Sequence, residues 1–183
     1  MVLYDETEIK FRPSSAPMDE LKQGFEEKDS IVNIDSFFDD SEYSMLKRNT
    51  YLRRRNGVYQ MKTFDKGDVR ENKEFTDDDL HRVFDVESQQ ELLQYIDEKF
   101  QNYATLKTER QRWESEEKGL ELVVDHVTAT GYKDRFAELE VINDNGKESL
   151  ENIIESTDLT ILQNPKILLY LEEKHPNLYK DIT

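Results

Sequence analysis

Residues 51–62 constrain the fold of this chain more than any other stretch. Tyr51-Leu52-Arg53-Arg54-Arg55 and Val58-Tyr59-Gln60-Met61-Lys62 both read as strands, with Asn56-Gly57 between them. Asn and Gly accept the positive φ angles that a two-residue turn demands, so this dipeptide is the strongest short-range signal of a β-hairpin. The turn length sets the register: Arg55 faces Val58, Arg53 faces Gln60 and Tyr51 faces Lys62. Paired residues share a face of the sheet, as do residues two apart, so Arg53, Arg55 and Lys62 form one basic patch.

The same alternation marks other strands. Residues 2–12 place Glu6, Glu8 and Lys10 on one face and Ile9 and Phe11 on the other. Residues 136–142 place Glu138 and Glu140 opposite Ala137, Leu139 and Val141. Further strands are expected near 31–38, 69–75, 103–114 and 119–128, with a turn or one short helix over 41–48. Pro17 opens a short helix, and Thr76 and Ser88 cap helices over roughly 77–84 and 89–99. The tail holds a helix near 147–156 and a more apolar one from Pro165 to about Lys174. Eight antiparallel strands can close into a barrel just filled by side chains. The expected fold is therefore α+β: a closed eight-stranded antiparallel β-barrel with flanking helices and a C-terminal helix, all in one domain over 1–183.

Composition narrows the function. Hydrophobic residues make up 36% and charged residues 36%, a balance that also suits a partly disordered chain. Nine Tyr and nine Phe against six Gly and four Pro favour a folded domain that keeps some of its charges inside. A formal net charge of −16 repels nucleic-acid backbones, so DNA and RNA are not expected partners. No run is apolar enough to span a bilayer, and Met1-Val2-Leu3-Tyr4-Asp5-Glu6 lacks the order of a signal peptide, so no membrane partner and a cytoplasmic location are expected. With no Cys and three scattered His, a metal site must rest on carboxylates, which suits Mg²⁺, Mn²⁺ or Ca²⁺.

Charged strand faces are commonly wet, and each of these faces alone fits the outside of an ordinary sheet. Together they fit another chemistry, because carboxylate pairs hold hard cations while Arg and Lys clamp phosphate oxygens. Polyphosphate cleavage needs both in one cavity.

Specific motifs add a resemblance. Glu6-x-Glu8-x-Lys10 resembles the signature of the CYTH superfamily, the triphosphate tunnel metalloenzymes. Asp35-Ser36-Phe37-Phe38-Asp39, the Leu52-Arg53-Arg54-Arg55 block with Lys62, and Asp125…Gly131…Glu138-x-Glu140 resemble its later blocks in order. The tail around Pro165-Lys166-Ile167, with Pro176 and Tyr179, is similar to that of animal thiamine triphosphatases.

The resemblance implies a tunnel whose lumen binds a small-molecule triphosphate, in a monomer that hydrolyses it with Mg²⁺, or Mn²⁺, as thiamine triphosphatase does. Alternatives are an inorganic triphosphatase, a class IV adenylyl cyclase-like enzyme and a catalytically weakened binding protein. By the same resemblance Glu6, Glu8, Glu74, Asp125, Glu138 and Glu140 ligate metal. Lys10, Arg53, Arg55, Lys62, Arg110 and Lys166 hold phosphates, and Tyr51 stacks on the organic group. Lys62, Glu138 and Glu6 take catalytic roles, the carboxylates orienting water. Phe37 stands where the resemblance expects a Tyr paired with Lys62, so that pair is missing unless Tyr43 or Tyr132 replaces it.

Overall fold

The hairpin appears in the computed structural model with the register its turn requires. The structure describes residues 4–64 and 70–183. Strands β3 (Thr50–Arg55) and β4 (Val58–Thr63) pair Arg55 with Val58, Arg53 with Gln60 and Tyr51 with Lys62. Asn56 (φ 49) and Gly57 (φ 97) both sit at positive φ, as a turn matching the twist of its strands demands.

Around this hairpin runs an antiparallel sheet. Its other strands are β1 (Tyr4–Phe11), β2 (Glu26–Asp39), β5 (Arg70–Thr76), β6 (Gln101–Ser115), β7 (Leu120–Ala129) and β8 (Tyr132–Val141). The hydrogen-bonded order is β1-β5-β4-β3-β2-β6-β7-β8, and β8 pairs back onto β1, closing a barrel. Strand β1 serves both neighbours. It pairs with β5 from Tyr4 to Glu8, and with β8 from Glu8 to Phe11. β2 begins five residues before the expected strand, because its exposed polar start lacks an apolar period to reveal it.

The helices are α1 (Met18–Leu21), α2 (Asp77–Val83), α3 (Gln89–Lys99), α4 (Gly146–Ser156), α5 (Lys166–Lys174) and α6 (Pro176–Ile182). Ser88 caps α3 by accepting a hydrogen bond from the Glu91 amide at 3.3 Å. Thr76 precedes α2 without a side-chain cap bond. α6 was not expected; it opens on Pro176 in its first turn, and Ile182 is its buried residue. Among the described residues no helix is long and apolar enough to cross a membrane.

Away from the end that α5 covers, the barrel is charged within and apolar without. Ile9, Phe11, Leu122, Val124, Ala137 and Leu139 point outward yet are buried, packed with Leu21 of α1 and Leu150 of α4. Leu52, Tyr59 and Met61 of the hairpin pack outward against Leu80 of α2 and Leu92 and Ile96 of α3. Each Leu, Ile, Val, Phe or Met among them contributes about 1.5–3 kcal/mol by leaving water. A third cluster joins Phe37, Leu106, Val127 and Phe136 from the strands to Ile167, Leu168 and Leu171 of α5, placing that helix across one end of the barrel. Toward the other end, the alternate strand positions are left largely to charged side chains facing inward.

Candidate functional site

The inward positions line a cavity of about 150 Å³. Its wall gathers Glu8 and Lys10 from β1, Arg53 and Arg55 from β3, Lys62 from β4, Glu74 from β5, Arg110 from β6, Glu138 and Glu140 from β8, and Lys166 from α5. Tyr51 lines it too, beside Phe37 and Phe64. Strand alternation explains the assembly, since one inward charge every second residue around a ring converges on the axis.

Glu138 lies at the centre of the charge pattern. Lys10 reaches it at 2.5 Å from the paired position on β1, and Arg110 Nη2 donates to it at 2.7 Å. Lys166 stands 3.4 Å away. Burial alone would raise the Glu138 pKa, but Lys10, Lys166 and Arg110 hold it well below the usual carboxylate range. A carboxylate so held is a weak proton acceptor. Glu8 and Glu140 face each other across the β1–β8 pairing, and a carboxylate oxygen from each of Glu8, Glu138 and Glu140 lies within 4.8 Å of the others. Three converging hard oxygen donors fit a divalent cation such as Mg²⁺.

Asp125 does not line the cavity. It is fully buried behind Arg110, whose Nε and Nη2 donate to its two oxygens at 2.8 and 2.9 Å, and Lys166 donates to Oδ2 as well. Burial pushes the Asp125 carboxyl up, and Lys166 and Arg110 more than reverse this. Glu74 lines the wall, faces Lys62 in register and lies 3.5 Å from Arg53 Nη2. Glu6 falls within β1, but its side chain lies outside the described residues.

Asp35 was not singled out as a site residue, yet it lines the cavity and is nearly buried. It accepts Arg55 Nε at 2.7 Å and Arg55 Nη2 at 2.8 Å. Its pKa is lowered: burial raises it, but the Arg55 hydrogen bonds and the Arg53 charge outweigh that. The signal for it was the direct pairing of Asp35 with Arg55 between β2 and β3, readable only once those strands are aligned. Thr108 and Phe64 also line the wall without having been expected.

Neither Tyr43 nor Tyr132, the phenols expected to stand in for one at Phe37, is among the residues lining the cavity. Tyr43 packs edge-on against Tyr103, and the Tyr132 hydroxyl lies 3.4 Å from Asp134 Oδ2. Phe37 itself packs at 5.6 Å against Tyr51.

Fold and site together define a closed barrel whose cavity gathers carboxylates and cationic side chains in near balance. The chain belongs to the CYTH domain family, whose model matches residues 5–168. The fold is shared with solved structures at low identity. The protein PH1819 from Pyrococcus horikoshii is 18% identical, covers 92% of this chain and 99% of its own, and has a TM-score of 0.63. HpAC1 from Hippeastrum, a candidate adenylyl cyclase with a dominant triphosphatase activity, is 16% identical over 92% of this chain and 96% of its own, with a TM-score of 0.65. A candidate adenylate cyclase from Bacillus halodurans is 13% identical over 93% of this chain and 98% of its own, at a TM-score of 0.55. A search of curated proteins finds no match.

Proposed function

We propose that this protein is a metal-dependent triphosphate hydrolase, with thiamine triphosphate converted to the diphosphate and phosphate as its reaction. The observation that carries the reading is the joining of six cationic side chains to the Glu8–Glu138–Glu140 carboxylate cluster in one cavity. The dominant triphosphatase activity of the Hippeastrum relative supports it. The choice of thiamine rests on the tail around Lys166 and on Tyr51, an aromatic face beside the phosphate-binding groups.

Glu8, Glu138 and Glu140 would hold the cation, with Glu74 of the same wall able to join them. When bound, a divalent cation supplies Lewis-acid polarisation of the phosphoryl oxygens. Lys10, Arg110 and Lys166 neutralise one stretch of the polyphosphate, and Arg53, Arg55 and Lys62 take the charge that develops on the transferred phosphoryl group. Lys166 opens α5, so the positive end of that helix also faces the anion. Glu138, its basicity lowered by three cations, orients the attacking water by accepting a hydrogen bond.

The test is turnover with Mg²⁺ on thiamine triphosphate, inorganic triphosphate and ATP, reading phosphate against cyclic nucleotide. Phosphate release that is fastest from thiamine triphosphate, and lost in Glu8→Gln and Glu140→Gln, is the expected result. Release from inorganic triphosphate alone removes thiamine from the reading, and cyclic product from ATP replaces hydrolysis with cyclisation.

A further inference from the structure

The cavity repeats one arrangement twice. A buried aspartate takes the Nε–Nη2 edge of an arginine whose other edge is left for something else: Asp35 on Arg55, and Asp125 on Arg110. For Arg110 the second edge already meets carboxylates, with Glu138 at 2.7 Å and Glu140 at 3.6 Å. For Arg55, among the described residues, no second carboxylate meets that edge, although the residue lines the cavity. Arg55 ends its strand beside the turn and is the more exposed of the two, at 23% against 13%. A long side chain there has many rotamers, and holding one costs entropy at each binding event unless something fixes it beforehand.

We propose that Asp35 is a positioning residue, which fixes the Arg55 guanidinium so that its remaining N–H edge is presented to a phosphate group of the ligand. Asp35 is suited to this because it comes from the neighbouring strand at the directly paired position, so the β2–β3 register fixes it in place. It is itself 4% exposed and cannot swing away into water. Two parallel N–H···O bonds define the plane of the guanidinium as well as its distance, which a single contact does not. The inference rests on the triphosphate-binding reading of the cavity.

Charge makes the role testable by sign. Asp35 is an acid beside a site for a polyanion, so by Coulomb's law alone its removal should tighten anion binding. A positioning role predicts the reverse. The probe is triphosphate with methylene bridges, which resists hydrolysis, titrated calorimetrically in the presence of Mg²⁺. Asp35→Asn keeps the shape and should weaken binding by about tenfold, roughly the worth of one well-aligned charged contact. Arg55→Lys keeps the charge without the planar fork and should weaken it similarly. In the Arg55→Lys background, Asp35→Asn should cause little further loss, since the fork that Asp35 orients is gone and Arg53 Nε, 4.0 Å from Asp35 Oδ1, stands beyond hydrogen-bond reach.

Unchanged or tighter binding by Asp35→Asn overturns the proposal, and so do losses that simply add in the double variant. Circular dichroism checks that each variant is folded. If Asp35→Asn does not fold, Asp35→Glu keeps the charge but displaces the carboxylate by one methylene, and binding equal to the parent's overturns the proposal. A parent protein that does not bind the probe overturns the triphosphate reading itself, a result distinct from all of these.

Discussion

Glu138 shows how much of the site's behaviour follows from one side chain. Its folded pKa is depressed, and a depressed carboxylate adds stability that is present above its ordinary value of 4.5 and is lost as pH falls through the folded value. Surface carboxylates act the opposite way, because protonation relieves their mutual repulsion. The interior share is therefore read as a difference: the parent's advantage over Glu138→Gln in urea denaturation should be largest at neutral pH and shrink as the pH falls below about 4.5. A difference that stays constant down to pH 3 would show that the ion cluster does not stabilise the fold. Arg54 and Arg55 give a second residue-scale contrast, because one is exposed and the other lines the cavity. Arg55→Ala should raise KM tenfold or more, or abolish turnover, while Arg54→Ala leaves kinetics unchanged. Equal effects would mean that inward and outward faces are misassigned. These faces were legible in the sequence because alternation is a local property. Asp35 was not, since its part comes from a partner on another strand.

At the scale of elements, the Asn56-Gly57 turn sets where three cationic side chains point. Asn56 also ties the turn to β2: its side-chain oxygen accepts the Ile34 amide at 2.9 Å, and its own amide donates to the Ile34 carbonyl at 3.1 Å. Nothing would crowd a Cβ at Gly57, so Gly57→Ala tests backbone conformation alone. With φ at 97, it should cost about 1–2 kcal/mol, seen as a melting temperature lower by roughly 2–8 °C. No change in melting temperature would mean that the positive φ is not required. The hairpin, β7, β8 and helices α3 and α5 were readable from period and punctuation. The first half of β2 and the whole of α6 were not, because each has too few buried positions for a period to appear.

For the whole molecule, charge is sorted between two places. Among the described residues, six acids, counting Asp35 and Asp125, are gathered with six bases in and behind the cavity wall, so the excess behind the net charge of −16 lies outside this balanced set. On the proposed function, ligand binding would replace internal carboxylate partners with phosphates instead of adding charge to an already acidic surface. Triphosphate with Mg²⁺ at a hundred times its Kd should stabilise the fold by about 2.7 kcal/mol, which corresponds to a melting temperature higher by roughly 5–10 °C. Triphosphate alone should do less, since the displaced carboxylates then repel one another. An equal shift without metal would remove the cation from the binding step.

The return of β8 onto β1 also places the site in time. Glu8 and Lys10 are synthesised about 130 residues before Glu138 and Glu140, the residues they face, and Lys166 follows later still. A growing chain can form the β3–β4 hairpin early, from contacts a few residues apart, but it has no complete carboxylate cluster until the ends of the barrel meet. The closing of the ring and the making of the cavity are one event, the slowest kind of contact for a chain to find. A partly made copy therefore lacks the carboxylate cluster, and the assembled cavity is the mark of a closed barrel.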